Sequence, residues 1–152
     1  MYDVAKVTPI SFLNKISSKY KNRIYLKRED LQPIFSFKCR GAYNKISNLS
    51  DDQKSRGIIA ASAGNHAQGV AMSASKLKIS AVIVMPTTTP SIKIESVKKF
   101  GVEVLLFGDS FDEAYEHALK ISEDEKRIFI HPFNDPLVIA GQGTVAKEIV
   151  EQ

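Results

Sequence analysis

The sequence predicts an α/β protein, three-layered (αβα) around a parallel sheet, and three observations carry that prediction. Short apolar runs recur from Gly57 onward at roughly two-dozen-residue intervals: Ile58–Ala61, Ala81–Met85, Val102–Phe107 and Arg127–Ile130. The segments between them place apolar residues at helical spacing, so the order reads β-α-β-α-β-α-β and favours parallel strands with right-handed crossovers. Ile58–Ala61 and Ala81–Met85 are almost unbroken in apolar character, as burial on both faces requires.

The elements follow in order. Arg23–Lys27 reads as a strand and Lys38–Leu49 as a helix, with Ser50-Asp51-Asp52-Gln53-Lys54 as a polar connection into the βα array. After the first strand of the array comes the small-residue loop Ser62–Gly64, and then a helix whose buried face is Val70, Ala71, Ala74 and Leu77. Thr89 before Pro90 suggests an N-cap followed by proline at the first helical position, and Gly101 is placed to end that helix. Ser110-Phe111-Asp112-Glu113 has capping-box spacing and opens a helix with an apolar stripe at Phe111, Tyr115, Ala118 and Leu119. A last helix is expected from about Gly143 to Val150, with Val145 and Ile149 on one side and Gly141-Gln142-Gly143 as its entry turn. Two pieces result: an N-terminal part without the βα rhythm, and a βα subdomain spanning 51–132.

Composition narrows the function. A chain of 152 residues suffices for one domain with a real core. The formal charge of +4 raises the question of nucleic acid, but 21 basic residues are interleaved with 17 acidic ones and the longest basic clusters are pairs such as Lys98-Lys99. No basic stripe or recognition motif exists, so no nucleic-acid partner is expected. Cys39 is the one cysteine, which excludes an intrachain disulfide and fits a reducing compartment. Nothing beside it would lower its pKa, so it reads as a small packing side chain rather than a nucleophile. Met1–Pro9 lacks the apolar run of a signal peptide and no stretch is long enough to span a bilayer. The expected setting is cytoplasmic, with no membrane partner.

Two segments carry chemistry. In Ser36-Phe37-Lys38-Cys39-Arg40-Gly41-Ala42 a lysine follows an aromatic residue at the start of a helix. The positive end of a helix disfavours a protonated amine and so favours imine formation. In Ser62-Ala63-Gly64-Asn65-His66-Ala67-Gln68-Gly69 small residues open the next helix, where unpaired N–H groups can hold an anion and Gly64 gives the turn its freedom. Asn65 could donate to a phenolate or carboxylate oxygen, or serve only as a helix cap. His66 could act as an acid or base, or be a structural histidine at a helix start. His117 and His131 have weaker claims, and no pair of histidines has metal-ligand spacing. Gly141-Gln142-Gly143 lacks the third glycine and preceding strand of a dinucleotide fingerprint, and no hydrolase elbow or Walker loop occurs.

Together these two motifs resemble the fold-type II pyridoxal-phosphate enzymes of the threonine dehydratase (threonine ammonia-lyase) type. The similarity continues through Lys27-Arg28-Glu29-Asp30, Val84-Met85-Pro86, Phe111-Asp112-Glu113-Ala114 and Val138–Thr144, so it covers nearly the whole chain. His66 after Asn65, where cysteine and threonine synthases carry threonine, looks like the dehydratase and serine-racemase group. Ile34–Lys38 and Met85-Pro86-Thr87 look more like the biosynthetic, isoleucine-pathway enzyme than the catabolic one.

What the resemblance implies is specific. Lys38 would bind pyridoxal 5'-phosphate covalently and, once released, take the substrate's Cα proton. Asn65 would bond the cofactor's phenolic oxygen, Phe37 would pack near its ring, and Ser62, Ala63, Gly64 and His66 would hold the substrate carboxylate at the helix start. The reaction would be deamination of L-threonine to 2-oxobutanoate and ammonia, with L-serine as a possible second substrate, in a homo-oligomer. Residues 1–50 would then be the N-terminal part of a larger lobe carrying Lys38, 51–132 the smaller βα lobe, and 133–152 a return segment. The family's phosphate-binding glycine run and its regulatory domain fall after the equivalent of Gln152, which makes this an N-terminal portion of a catalytic domain. Two alternatives remain at this level: a serine racemase or serine dehydratase of the same fold, and a truncated βα module without turnover.

Overall fold

A computed structural model describes residues 1–152. The chain runs β1 (Ile10–Phe12), α1 (Asn14–Tyr20), β2 (Tyr25–Lys27), α2 (Lys38–Ser47), α3 (Asp51–Arg56), β3 (Ile58–Ala61), α4 (Asn65–Leu77), β4 (Ala81–Met85), α5 (Ser91–Lys98), β5 (Glu103–Leu106), α6 (Phe111–Asp124), β6 (Ile128–Phe129) and α7 (Pro136–Glu151). Four strands form one parallel sheet in the order β5-β4-β3-β6, so the α/β architecture expected from the strand rhythm is present. Ile58 faces Ala81 on one side and Ile128 on the other, and both central strands are buried throughout.

Alternation along the strands divides the core into two layers. Ile58, Ala60, Ile83 and Met85 point to one face, where Ala67, Val70, Ala71 and Ala74 of α4 and Val97 of α5 cover them. Ile59, Ala61, Val82 and Val84 point to the other, under Ala114 and Ala118 of α6. Leu77 packs at the margin of the first layer. On α6 the buried stripe is Ala114 and Ala118, while Phe111 and Leu119 reach solvent. The Ser110 capping box forms as expected, with Glu113 closing it.

Several local expectations are corrected. Ser50–Lys54 is no simple connection: Ser50 Oγ accepts from the Gln53 amide, Gln53 Oε1 accepts from the Ser50 amide, and this capping box starts α3. Pro90, not Thr89, is the N-cap of α5, and the Thr89 hydroxyl is buried without a partner. Gly101 does follow that helix in a left-handed turn, at φ 76°. The last helix begins at Pro136, far ahead of Gly143, because Asp135 caps it by accepting from the Leu137 and Val138 amides and Pro136 needs no amide bond there. Gly141-Gln142-Gly143 therefore lies inside α7. Strand β2 falls within the strand expected over Arg23–Lys27, whereas its antiparallel partner β1, with Ser11 facing Leu26, and the short α1 carry no sequence signal.

Helix α2 is buried between α4 and α7, and glycines set both distances. A Cβ on Gly69 of α4 would stand 2.9 Å from the Lys38 carbonyl oxygen, and one on Gly141 of α7 would stand 2.6 Å from the Arg40 carbonyl oxygen. The backbones meet there with no room for a methyl group. The β1–β2 ribbon, in contrast, leaves Phe12, Tyr25 and Leu26 about half exposed.

Candidate active site

In open α/β sheets, ligands bind beyond the carboxyl ends of the strands, and both sequence motifs arrive there. Strand β3 runs on through Ser62, whose amide still donates to the Val84 carbonyl at 3.1 Å, and the Ser62 hydroxyl then accepts from the Gly64 amide at 3.2 Å. Gly64 caps α4 with φ −147° and ψ −139°, and a Cβ there would meet nothing within 4 Å. The amides of Asn65, His66 and Ala67 make no hydrogen bond within the chain and form the donor-rich end of α4. Ala63 lies half-buried in the same turn.

Lys38 is the first residue of α2, held by a Ser36 hydroxyl that accepts from its amide at 3.2 Å. Its carbonyl rests on Gly69, one helical turn after Asn65 on the same face of α4, so the lysine backbone and the α4 N-terminus share one seam. The half-buried amine donates to the Pro132 carbonyl at 2.7 Å and stands 5.6 Å from the Phe37 ring centre. Burial lowers its pKa below the ordinary lysine value. Phe37 itself is exposed at the N-cap of α2.

The structure separates the remaining sequence candidates. Asn65 is exposed and its side chain bonds nothing in the chain, so it is not serving as a cap. The His66 ring is buried and turned away from the α4 end, with Nε2 donating to the Ile130 carbonyl at 2.9 Å and Nδ1 left without a partner. Desolvation pulls its pKa down to about 4, so at neutral pH it is an uncharged strut. Of His66 only the backbone amide stands among the free donors. His131 Nδ1 accepts from the Phe133 and Asn134 amides and shapes the loop that carries Pro132. His117 stacks on Phe107 at 3.7 Å, and Cys39 is buried with its pKa raised by desolvation to about 11, as an inert packing thiol.

Two further participants carry no motif signal. Pro132 contributes only a carbonyl, which no residue type announces. Gln142 comes from α7 to accept the Gly41 amide at 3.1 Å, and its place beside glycine was the signal that could have drawn notice.

A helix-initial lysine packed against a second helix with free amides can offer an amine to a carbonyl group and donors to an anion. The model of the pyridoxal-phosphate dependent enzyme family matches residues 2–152, and the chain belongs to that family. It is 56% identical over 152 residues to the biosynthetic L-threonine dehydratase of Haemophilus influenzae, covering 100% of this chain and 30% of that protein. The chloroplastic biosynthetic threonine dehydratase of Arabidopsis thaliana is 57% identical over the same length, with 26% of it covered. Among solved structures, processed threonine deaminase isoform 2 of Solanum lycopersicum superimposes with TM-score 0.95 at 53% identity over 99% of this chain and 44% of that one. Maize serine racemase gives TM-score 0.94 at 34% identity, with 99% and 46% covered. These likenesses bear out the fold-type II resemblance, and the chain spans less than half of every relative named.

Proposed function

We propose that the protein carrying this chain is a pyridoxal 5'-phosphate-dependent threonine ammonia-lyase that converts L-threonine to 2-oxobutanoate and ammonia. The observation that carries the reading is the placement of Lys38: a primary amine of lowered basicity, held by a carbonyl rather than a carboxylate, beside the free amides of α4. The residues fit the cofactor, since the amine suits its aldehyde and the unbonded Asn65 side chain suits its ring oxygen. Bound pyridoxal phosphate supplies an electron sink for the charge released when a Cα–H bond breaks.

The chain's own groups do the rest. Lys38 binds the cofactor and, when free, accepts the Cα proton at Nζ, a task its lowered pKa favours at neutral pH. Ser62, Ala63 and Gly64, with the amides of Asn65 and His66, orient the substrate carboxylate at the α4 end. Phe37 lines the approach to the amine. In the same proposal residues 1–50 belong to a larger lobe, 51–132 form the smaller βα lobe, and 133–152 lead back to the first. A cytoplasmic homo-oligomer completes it. No helix of the chain is long and apolar enough to cross a membrane.

Borohydride reduction of the intact protein with pyridoxal phosphate, followed by peptide mapping, tests the assignment: the label belongs on Lys38. A label on Lys27 or Lys45 defeats it. Turnover of L-threonine well above L-serine supports the lyase named here, whereas racemisation of L-serine without 2-oxobutanoate from threonine favours the serine racemase reading. Covalent labelling without turnover of either substrate favours a non-catalytic module.

A further inference from the structure

The first turn of α2 differs from that of every other α-helix in the chain. In α1, α3, α4, α5, α6 and α7 the N-cap carbonyl accepts the amide four residues on, as in Lys54 to Ser50 or Ile139 to Asp135. In α2 the Phe37 carbonyl accepts instead from Arg40, at 3.0 Å, and the Gly41 amide turns sideways to Gln142 Oε1 of α7 at 3.1 Å. Only glycine permits this, because a Cβ at residue 41 would stand 2.6 Å from the Gln142 side chain and 2.7 Å from the Val138 carbonyl oxygen, which is backbone and cannot swing aside. On the opposite side Gly69 abuts the Lys38 carbonyl at 2.9 Å from its own would-be Cβ. The turn that begins with Lys38 is thus gripped from α4 by a backbone contact and from α7 by one side-chain oxygen.

We infer that Gln142 is a positioning residue for Lys38, holding the first turn of α2 in a tightened form that aims the amine at the Pro132 carbonyl and away from solvent. Without the Gln142 oxygen, the Gly41 amide returns to the Phe37 carbonyl, the turn relaxes to a regular α-helical one, and the lysine stem rotates with it. The amine then gains water. Its titratable neighbours are His66 from α4 and His131 from the loop after β6, both shifted toward the neutral form, and no carboxylate contributes to its titration. Hydration is therefore what changes, and it favours the protonated form.

The importance of an aimed amine rests on Lys38 being the cofactor lysine, but the test needs no cofactor. Competitive acetylation across a pH range, read by mass spectrometry, gives each lysine's titration midpoint in the intact protein with any pyridoxal phosphate removed. Gln142→Met keeps the length of the side chain and deletes its oxygen. The expected result is an upward shift of the Lys38 midpoint toward the ordinary lysine value, with Lys45, at the far end of the same helix, unmoved. Hydrogen exchange should show the Arg40 amide, which bonds the Phe37 carbonyl in the tightened turn, protected in the parent, faster in Gln142→Met, where that carbonyl returns to the Gly41 amide, and protected again in Gln142→Glu, which restores an oxygen at the same reach. If the Met variant does not fold, Gln142→Leu replaces it in both measurements. An unchanged Lys38 midpoint, an equal shift at Lys45, or an Arg40 amide that exchanges no faster in Gln142→Met than in the parent overturns the inference. Failure of borohydride to label Lys38 would defeat the functional reading and leave these outcomes intact.

Discussion

Arg40 on α2 and Glu148 on α7 form a forked ion pair in the interior, Nη1 to Oε1 at 2.5 Å and Nη2 to Oε2 at 2.9 Å. Arg40 is fully buried and makes a second fork to Glu29, with both contacts at 2.8 Å. Lys27 joins Glu148 at 2.8 Å, while Tyr2 donates to Glu148 and Thr8 to Glu29. Two cations meet two anions, so the buried charge is balanced. The cluster ties the N-terminal arm, β2, α2 and α7 to one point two residues after Lys38. It anchors the first turn of α2 to the elements around it.

Arg40→Met should therefore be among the costliest single changes. It leaves Glu29 without its cation and Glu148 with Lys27 alone, and breaking a buried pair from one side costs about 3–5 kcal/mol. Urea unfolding of the intact protein would measure it. A loss under about 1 kcal/mol would mean that water replaces the guanidinium, as at exposed pairs.

Acid should weaken the same cluster. Burial would raise the Glu148 pKa, but hydrogen bonds from Arg40, Lys27 and Tyr2 overcome it and bring the value from 4.5 to about 2. Glu29 is lowered too, its own burial outweighed by Arg40 and Thr8. A depressed carboxylate gives stability that is present above its unfolded pKa and is lost as pH falls through the folded one. Stability should thus fall between about pH 4.5 and pH 2, and Glu148→Gln should flatten part of that fall. Denaturant midpoints taken across this window provide the check.

His66 should act in a higher window. Its folded pKa of about 4 lies below the ordinary 6.5, so the unfolded chain binds a proton that the native one refuses. Its contribution is complete above pH 6.5 and is lost as pH falls toward 4. NMR titration should find the His66 ring neutral at pH 6. A protonated His66 ring at that pH would contradict its desolvated place beneath Ile130.

The two glycines of α7 should respond in opposite directions to alanine. Gly141→Ala drives a methyl group to 2.6 Å from the Arg40 carbonyl oxygen and the Gly41 Cα, and backbone cannot retreat as a side chain can. A loss of about 1–3 kcal/mol follows from such overpacking. Gly143→Ala has nothing within 4 Å, so only helix propensity changes and stability should rise by about 0.5–1 kcal/mol. Thermal midpoints that move in the same direction would refute the assigned close approach.

Asn65→Ala should separate binding from folding. The exposed side chain bonds nothing in the chain, so unfolding free energy should stay within about 0.5 kcal/mol. A lost hydrogen bond to a charged cofactor oxygen is worth about 1.5–3 kcal/mol, or roughly one to two orders of magnitude in pyridoxal-phosphate affinity. Equilibrium dialysis would read the second quantity. Unchanged affinity would remove Asn65 from the cofactor site.

The βα rhythm, the buried central strands, the start of α2 at Lys38 and the loop into α4 are legible in the chain's local pattern. Each of these is a local signal: unbroken apolar runs, helical spacing, or small residues ahead of a helix. Other determinants are not local. Gly141-Gln142-Gly143 looked like an entry turn because two glycines weaken a helix, yet Asp135 and Pro136 had already started α7 and packing against Gly41 repaid the propensity lost. His66 by its type and place suits either an acid–base or a structural role, and only the position of Ile130 sends its ring into the core. Arg40, Glu29, Lys27 and Glu148 were visible as ordinary charges, and nothing in their spacing announced that one buried point gathers them. Tertiary structure decided these matters because desolvation and close approach depend on neighbours distant in sequence, and a residue's own type records neither.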